Sequence, residues 1–357
     1  MKLPKATTNQ LADLASIAFA SNRFFAMYGK GGIGKTTIPK TLIAPALGFD
    51  EVWEVNMSGA GPQEAAGYLI PDPVSRDGWF SAPESWPTAK RVGDRKILLV
   101  LDEYPEWDAS VQSLCRSLFN PNGQPMIGTH KLGKNVRIVV TGNRRSDGTR
   151  SAIPTAPFVE RCMSVQVEPT LDEWLDWAAG QGLASSPVYT FLKFQGGNEA
   201  GGVDHFNPDV PSPWDGSPHP CPRQWEAACR ATADDSLPAG LVALALEGFV
   251  GESAGRAAYA FIKLVGDLLP QLNAVRAGGG MPMDPASQQA LTHAALRVAK
   301  RETAADPEAA VASGALDWLV NLLAQCRGEI RAYGFATALR CGLPLDQHPR
   351  RAELQGI

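Results

Sequence analysis

The rhythm of apolar positions changes about halfway along the chain. Up to about residue 170, short continuous apolar runs recur: "FFAMY" (24–28), "EVWEVNM" (51–57), "KILLVL" (96–101), "VRIVVTG" (136–142) and "CMSVQVE" (162–168). Runs of this length, rich in Val, Ile and Leu, suit parallel strands, which are covered on both faces and need no polar alternation. Helix-like stretches such as "TIPKTLIAPAL" and "DASVQSLCRSLF" lie between some of them. Such alternation predicts an α/β sheet with helices on each side. From Leu171 the strand rhythm stops. "LDEWLDWAAGQ", "SPVYTFLKF", "PRQWEAACRATA", "LVALALEGFV" and "AGRAAYAFIKLVGDLL" all read as helices. The Gly-, Pro-, Asn- and Asp-rich stretch "GGNEAGGVDHFNPDVPSPWDGSPHPC" reads as a long loop between them. Beyond about Pro270, "DPASQQALTHAALRVAKRE" and "DPEAAVASGALDWLVNLLAQC" predict two Ala-rich helices. Asp284-Pro285 and Asp306-Pro307 offer each a cap and a first-turn proline. The N-terminal "MKLPKATTNQLADLASIAFASNRFF" carries Asp13 and Asn22 within its apolar part. It predicts an amphipathic helix rather than a signal peptide. No run of about 18 apolar residues occurs, so no membrane span is expected.

A chain of 357 residues allows two or three domains. The net charge of −4 weighs against a nucleic-acid binder. The six cysteines are scattered with no C-x-x-C pair, so neither a zinc site nor a disulfide framework is expected, and a cytoplasmic location fits. The five histidines are scattered too, and His130 is expected to be exposed on a hairpin-like connection.

"MYGKGGIGKTT" carries the most specific chemistry. It fits G-x-x-x-x-G-K-[ST] with Gly29, Gly34, Lys35 and Thr36, after an apolar strand and before a helix. In that setting the backbone N–H groups of Gly29, Lys30, Gly31, Gly32, Ile33, Gly34, Lys35, Thr36 and Thr37 cradle phosphates. Lys35 reaches the β- and γ-phosphates of ATP, and the Thr36 hydroxyl binds Mg²⁺. Pro39, early in the following helix, is expected to bend or weaken that turn. The wording K-G-G-x-G-K-T-T also resembles the ParA and nitrogenase iron-protein ATPases, which carry D-x-D-P on the next strand. Here that strand reads "EVWEVNMSGAG", without aspartate. Lys30 is then expected to be a solvated loop lysine rather than an inter-subunit catalytic one.

An acidic pair ends a later strand, in "KILLVLDEYPEW". Strand ends are where α/β sheets place ligand groups. Asp102 suits the Mg²⁺ shell and Glu103 the base that polarises the attacking water. A helix-capping acid pair is the bland alternative. The next strand ends at Asn143, which can orient the water and sense the γ-phosphate, or can be a plain turn residue.

Phosphate loop, strand with Asp-Glu, strand with Asn, and an arginine before a helical region: this order resembles an AAA+ ATPase. More narrowly, "TGNRRSDG…IPTAPFVERCMSVQVEP" and "NMSGAGPQEAAGYLIPDP" are similar to its MoxR branch, including bacterial and bacteriophage members. "CPRQWEAACR" resembles the helix start that carries a second sensor arginine, and "GFVGESAGRAAYAFI" the next lid helix. The resemblance covers roughly Leu11 to Leu268. It departs at Lys30-Gly31 and at Ile153-Pro154, where the branch has prolines and Leu-Pro. It implies a three-layer α/β domain with a mostly parallel five-stranded sheet at 1–169, a helical lid at 170–270 and a helical extension at 271–357. It implies Arg161 as an arginine finger reaching the neighbouring subunit's nucleotide, with Arg144, Arg145 and Arg150 as rivals. A surface arginine paired with Glu160 or Glu168 is the alternative. Arg223 becomes a lid sensor of the γ-phosphate, or else a surface arginine near Glu226. The implied protein is a homo-oligomeric, hexameric ring that hydrolyses Mg-ATP and remodels a protein, often a von Willebrand factor A-type partner. In such rings the segment from Ser58 to Gly93 faces the pore, so Tyr68 and, less directly, Trp79, Phe80 and Trp86 become candidate substrate contacts; alternatively, Trp79 and Trp86 pack the segment onto its own domain. A nucleic-acid motor or loader, and a ParA-like dimeric switch, are the competing readings.

Overall fold

The structure, a computed structural model, describes residues 3–355 apart from 76, 121–122, 145–146, 148–150, 153–154, 196–203, 210–214, 234–236, 268 and 304–305. It contains the strands β1 (Lys5–Ala6), β2 (Phe24–Tyr28), β3 (Glu51–Val55), β4 (Leu69–Pro71), β5 (Gly78–Phe80), β6 (Ile97–Leu101), β7 (Met126–Ile127), β8 (His130–Lys131), β9 (Val136–Gly142) and β10 (Cys162–Val167). The chain divides into two units, Met1–Thr170 with Asp209–Trp214, and Leu171–Pro208 with Asp215–Ile357.

The first unit is built on one six-stranded sheet in the order β1-β10-β2-β9-β6-β3, with every pairing parallel. The five apolar runs are its five long strands. Their continuous hydrophobicity has the expected cause. Ile97, Leu99 and Leu101 of β6 enter one core with Phe24, Ala26 and Tyr28. Leu98 and Val100 enter the opposite core with Phe25 and Met27. The sixth strand corrects the N-terminal expectation. The helix spans only Leu11–Ala20, while Lys5 and Ala6 extend along Gln166 and Val167. Pro4 and the break at Thr7–Gln10 keep that stretch out of the helix.

Two antiparallel hairpins leave the sheet, β4 with β5 and β7 with β8. Within the first, Tyr68, Trp79 and Phe80 are 61%, 54% and 41% exposed, whereas Trp86 is fully buried and donates its indole N–H to Ala65 O at 2.9 Å. His130, expected to be exposed, is half-buried in the second, and its Nε2 is enclosed without a partner.

Every regular element among the described residues of the second unit is a helix. One core runs from Trp174 through Trp225, Leu246 and Leu291 to Leu354, so the segments expected as lid and extension share their hydrophobic interior. Asp284 and Asp306 cap their helices as expected, accepting from Ser287 N at 2.7 Å and Ala309 N at 2.9 Å. No helix among the described residues is long and apolar enough to cross a membrane.

Candidate nucleotide site

Because the sheet is parallel, β2, β3, β6 and β9 deliver their C-terminal residues to the same edge. β2 lies where the connections diverge to opposite sides, the position at which open α/β sheets open a crevice for ligands. The loop from Gly29 to Thr37 leaves β2 at that point. Gly34 has φ +93°, a conformation that a side chain would strain. The helix that follows begins as a π-turn over Pro39–Ile43. Pro39 has no N–H to give the carbonyl four residues back, and Ala44 N–H bonds to Pro39 O, five residues back. The bend expected from Pro39 takes this form.

Lys35 is 9% exposed and folds back over the loop. Its ammonium donates to Gly29 O at 3.0 Å, Lys30 O at 2.5 Å and Asn143 Oδ1 at 2.8 Å. The Thr36 hydroxyl donates to Asp102 at 3.0 and 3.2 Å to its two oxygens. Thr141 Oγ1 donates to the same carboxylate, and Trp107 Nε1 donates to Asp102 O at 2.9 Å. Glu103 follows with φ +54°, left-handed backbone that costs a non-glycine residue on the order of 1–3 kcal/mol and that clusters at functional sites. The turn Tyr104–Glu106 holds it there. Tyr104 is buried, stacked on Phe158 at 5.3 Å and in edge contact with Trp107 and Phe119. Asn56 Nδ2 donates to Glu103 Oε2 at 3.1 Å.

Lys35, Thr36, Asp102, Glu103 and Asn143 thus converge from three separate segments. Asn56, Thr141 and Glu106 join them without having been expected. Asn56 stands inside the run 51–57, but it follows the last residue of β3 as Asp102 follows that of β6, and Val55 pairs with Leu101.

Lys30 departs from expectation. Its side chain is only 14% exposed and pairs with Asp209 at 3.0 Å. Asp209 belongs to the same unit and supplies the charge that draws the lysine out of solvent. That ion pair holds the Asp209 carboxyl below the usual carboxylate range. Arg161 lies at the opposite edge of the sheet. Its backbone O accepts from Phe24 N at 3.1 Å, and its guanidinium donates to Pro157 O at 2.9 Å. Glu168, one alternative partner for Arg161, pairs with Lys5 at 3.0 Å. Arg144 is engaged by the buried Asp147 at 2.6 Å. Arg145, Arg150 and Ile153-Pro154 lie outside the described residues. Arg223 stands exposed in the first turn of the Pro222–Ala231 helix of the second unit, and Glu226 pairs with Arg230 instead, at 2.8 Å.

The residues fit a nucleotide phosphate with Mg²⁺. No group of three or more His, Cys, Asp or Glu side chains able to hold a metal occurs among the described residues. Mg²⁺ does not need one, since it commonly takes one or two protein oxygens and completes its shell with phosphate and water. Thr36 Oγ1 and the Asp102 carboxylate, in direct contact, offer that pair. The cysteines offer no rival chemistry: burial pushes the Cys115, Cys162 and Cys229 thiols up to about 12.

No protein-family model matches the chain. No curated protein sequence matches it. Among solved structures it is similar to a candidate ATPase from Cytophaga hutchinsonii at 16% identity and a TM-score of 0.32, over 45% of this chain and 47% of that one. The match therefore spans about half of that protein's length. It is also similar to a point mutant of RuvB from Thermotoga maritima at 12% identity and a TM-score of 0.32, over 78% of this chain and 85% of that one. The fold class rests on the molecule itself. A parallel sheet with the loop after a central strand makes an α/β unit, and the second unit is built of helices.

Proposed function

We propose that the protein is a Mg-dependent ATPase of the AAA+ type, MoxR-like, that works as a homo-oligomeric ring and remodels a protein partner. The observation that carries the reading is the convergence of Lys35, Thr36, Asp102, Glu103 and Asn143 on one sheet edge. Mg²⁺, held by Thr36 and Asp102, would supply positive charge that offsets the charge of the phosphates. The loop amides and Lys35 bind and orient the phosphates. Lys35 gives up its contacts with Gly29 O, Lys30 O and Asn143 to do so. Thr36 and Asp102 hold the ion, and Thr141 keeps the Asp102 carboxylate in place. Glu103 takes the proton of the attacking water, and Asn143 holds that water in line.

Position supports the finger role for Arg161. It precedes β10, and the phosphate loop follows β2 at the other end of two paired strands. Five strand residues separate these edges by roughly 17 Å, so Arg161 does not serve its own loop. On this reading it serves a neighbour's. The exposed aromatics of the β4–β5 hairpin support protein rather than nucleic-acid contact, since exposed apolar patches mark interaction surfaces. A von Willebrand factor A-type protein is the partner class that the family resemblance suggests.

The test is ATP hydrolysis by the purified protein with and without Mg²⁺, alongside Lys35→Ala. Turnover should require Mg²⁺. The variant should lose ATP affinity by roughly 100-fold or more, because several charge-assisted bonds go at once. Equal nucleotide affinity in the two proteins would remove the phosphate-loop reading. Tight, salt-sensitive DNA binding that stimulates turnover would favour a nucleic-acid motor.

A further inference from the structure

The stretch "DEYPEW" holds a third carboxylate, Glu106, to which neither the metal nor the base role falls. We propose that Glu106 is a positioning residue that fixes the direction of the Asn143 amide during turnover; the proposal rests on the ATPase reading of the site.

Glu106 ends the turn that starts at Glu103, and its N–H donates to Glu103 O at 2.8 Å. The turn is clamped to the tip of β9. Ala152 N donates to Pro105 O at 2.8 Å. The Pro105 ring fills the space where a Cβ on Gly142 would stand, 2.4 Å from Pro105 Cδ. Only glycine at 142 lets the turn close this far onto the residue before Asn143. Glu106 Oε1 then accepts from Asn143 Nδ2 at 2.9 Å and from Ser151 Oγ at 3.2 Å.

Asn143 is therefore held between an ammonium and a carboxylate. Its Oδ1 accepts from Lys35, and its Nδ2 donates to Glu106. The flipped amide would set N–H against ammonium and carbonyl against carboxylate, so one orientation alone satisfies both neighbours. The two amide hydrogens diverge by a fixed angle within the amide plane. Binding one to Glu106 fixes the direction of the other, which is left for water or the γ-phosphate. When Lys35 turns to a bound nucleotide, Oδ1 loses its partner. Glu106 is then the contact that keeps the amide aimed. Its removal should affect the chemical step more than nucleotide binding, because the amide's aim matters once the attacking water is in place.

The experiment measures kcat and KM for Mg-ATP, with melting temperatures, for the full chain and for Glu106→Ala, Glu106→Gln, Glu106→Asp, Asn143→Ala and the Glu106→Ala/Asn143→Ala double variant. Glu106→Ala should lower kcat by roughly 10- to 100-fold, the scale of losing an orienting partner, with KM within about twofold. Glu106→Gln keeps an acceptor at the same reach and should restore most of the rate. Glu106→Asp keeps the charge but withdraws it by one methylene, so it should resemble Ala, and it replaces Ala should that variant not fold. The double variant should be no slower than Asn143→Ala. Wild-type kcat in both Glu106→Ala and Glu106→Asp overturns the proposal, as does a full further loss of rate in the Asn143→Ala background. A wild-type protein without Mg-dependent turnover overturns the proposal and the ATPase reading together. An active wild type with Glu106→Ala and Glu106→Asp both unaffected overturns the proposal alone.

Discussion

The two edges of the parallel sheet are built from the same strands and carry opposite kinds of polar chemistry. At the C-terminal edge the polar groups are tied to one another: Lys35 to Asn143, Asn143 to Glu106, Thr36 and Thr141 to Asp102, Asn56 to Glu103. At the N-terminal edge, Arg23, Lys134 and Arg137 line a cavity of about 280 Å³ and have no carboxylate partner among the described residues. Arg23 and Arg137 donate to main-chain carbonyls beside them, at 3.4 and 3.2 Å, and Arg161 donates to Pro157 O. One edge is pre-organised for a ligand of its own. The other leaves cations facing outward, where they can act on something brought to them. The difference separates groups tied to one another from cations without a carboxylate partner, and it motivates the proposal of a reaction shared between subunits.

The strongest way to break that contrast is to divide it between two proteins. On the proposed reading, Lys35→Ala has a dead pocket and an intact finger, and Arg161→Ala has an intact pocket and no finger. Each alone should lose about 10³-fold or more in rate, the scale of an arginine finger. Mixed, they should regain part of the activity, through interfaces that join a good pocket to a good finger. If the subunits exchange and mixing restores nothing, Arg161 does not act across an interface. A smaller effect sharpens the contrast in stability. Thr141→Val should cost about 1–3 kcal/mol in a denaturation experiment, because it removes one of the two hydroxyl donors to the buried Asp102 carboxylate. Arg137→Ala, at the other edge, should stay within about 0.5 kcal/mol, as expected where no pairing is lost. Equal costs at the two edges would erase the distinction.

Much of the C-terminal edge was legible in the sequence, because its strongest elements are local. Each apolar run announces a strand by its own composition, and Gly29 to Thr36, Asp102-Glu103 and Asn143 all sit at run ends. The remainder depends on neighbours distant in the chain. Thr141 lies 39 residues from the carboxylate it holds, and Glu106 lies 37 from Asn143. Only the order β2-β9-β6-β3 makes them adjacent. β1 is two residues long, too short for any periodicity to reveal. The β4–β5 hairpin lies in a segment read only as a connection, because two three-residue strands carry no period either. The ion pair of Lys30 with Asp209 joins the loop to a residue 179 positions away, which no reading of the loop itself can anticipate.

The central claim is that this edge hydrolyses ATP with Glu103 as the base. Single-turnover hydrolysis and equilibrium ATP binding, measured side by side for the wild type and Glu103→Gln, test it most directly. Glu103→Gln replaces one carboxylate oxygen by an amide and leaves the loop, Lys35 and Asp102 untouched. The account predicts ATP affinity within a few-fold of wild type and a rate roughly 10²–10⁴-fold lower, the usual loss on removing a general base. Hydrolysis at the wild-type rate by Glu103→Gln would contradict it.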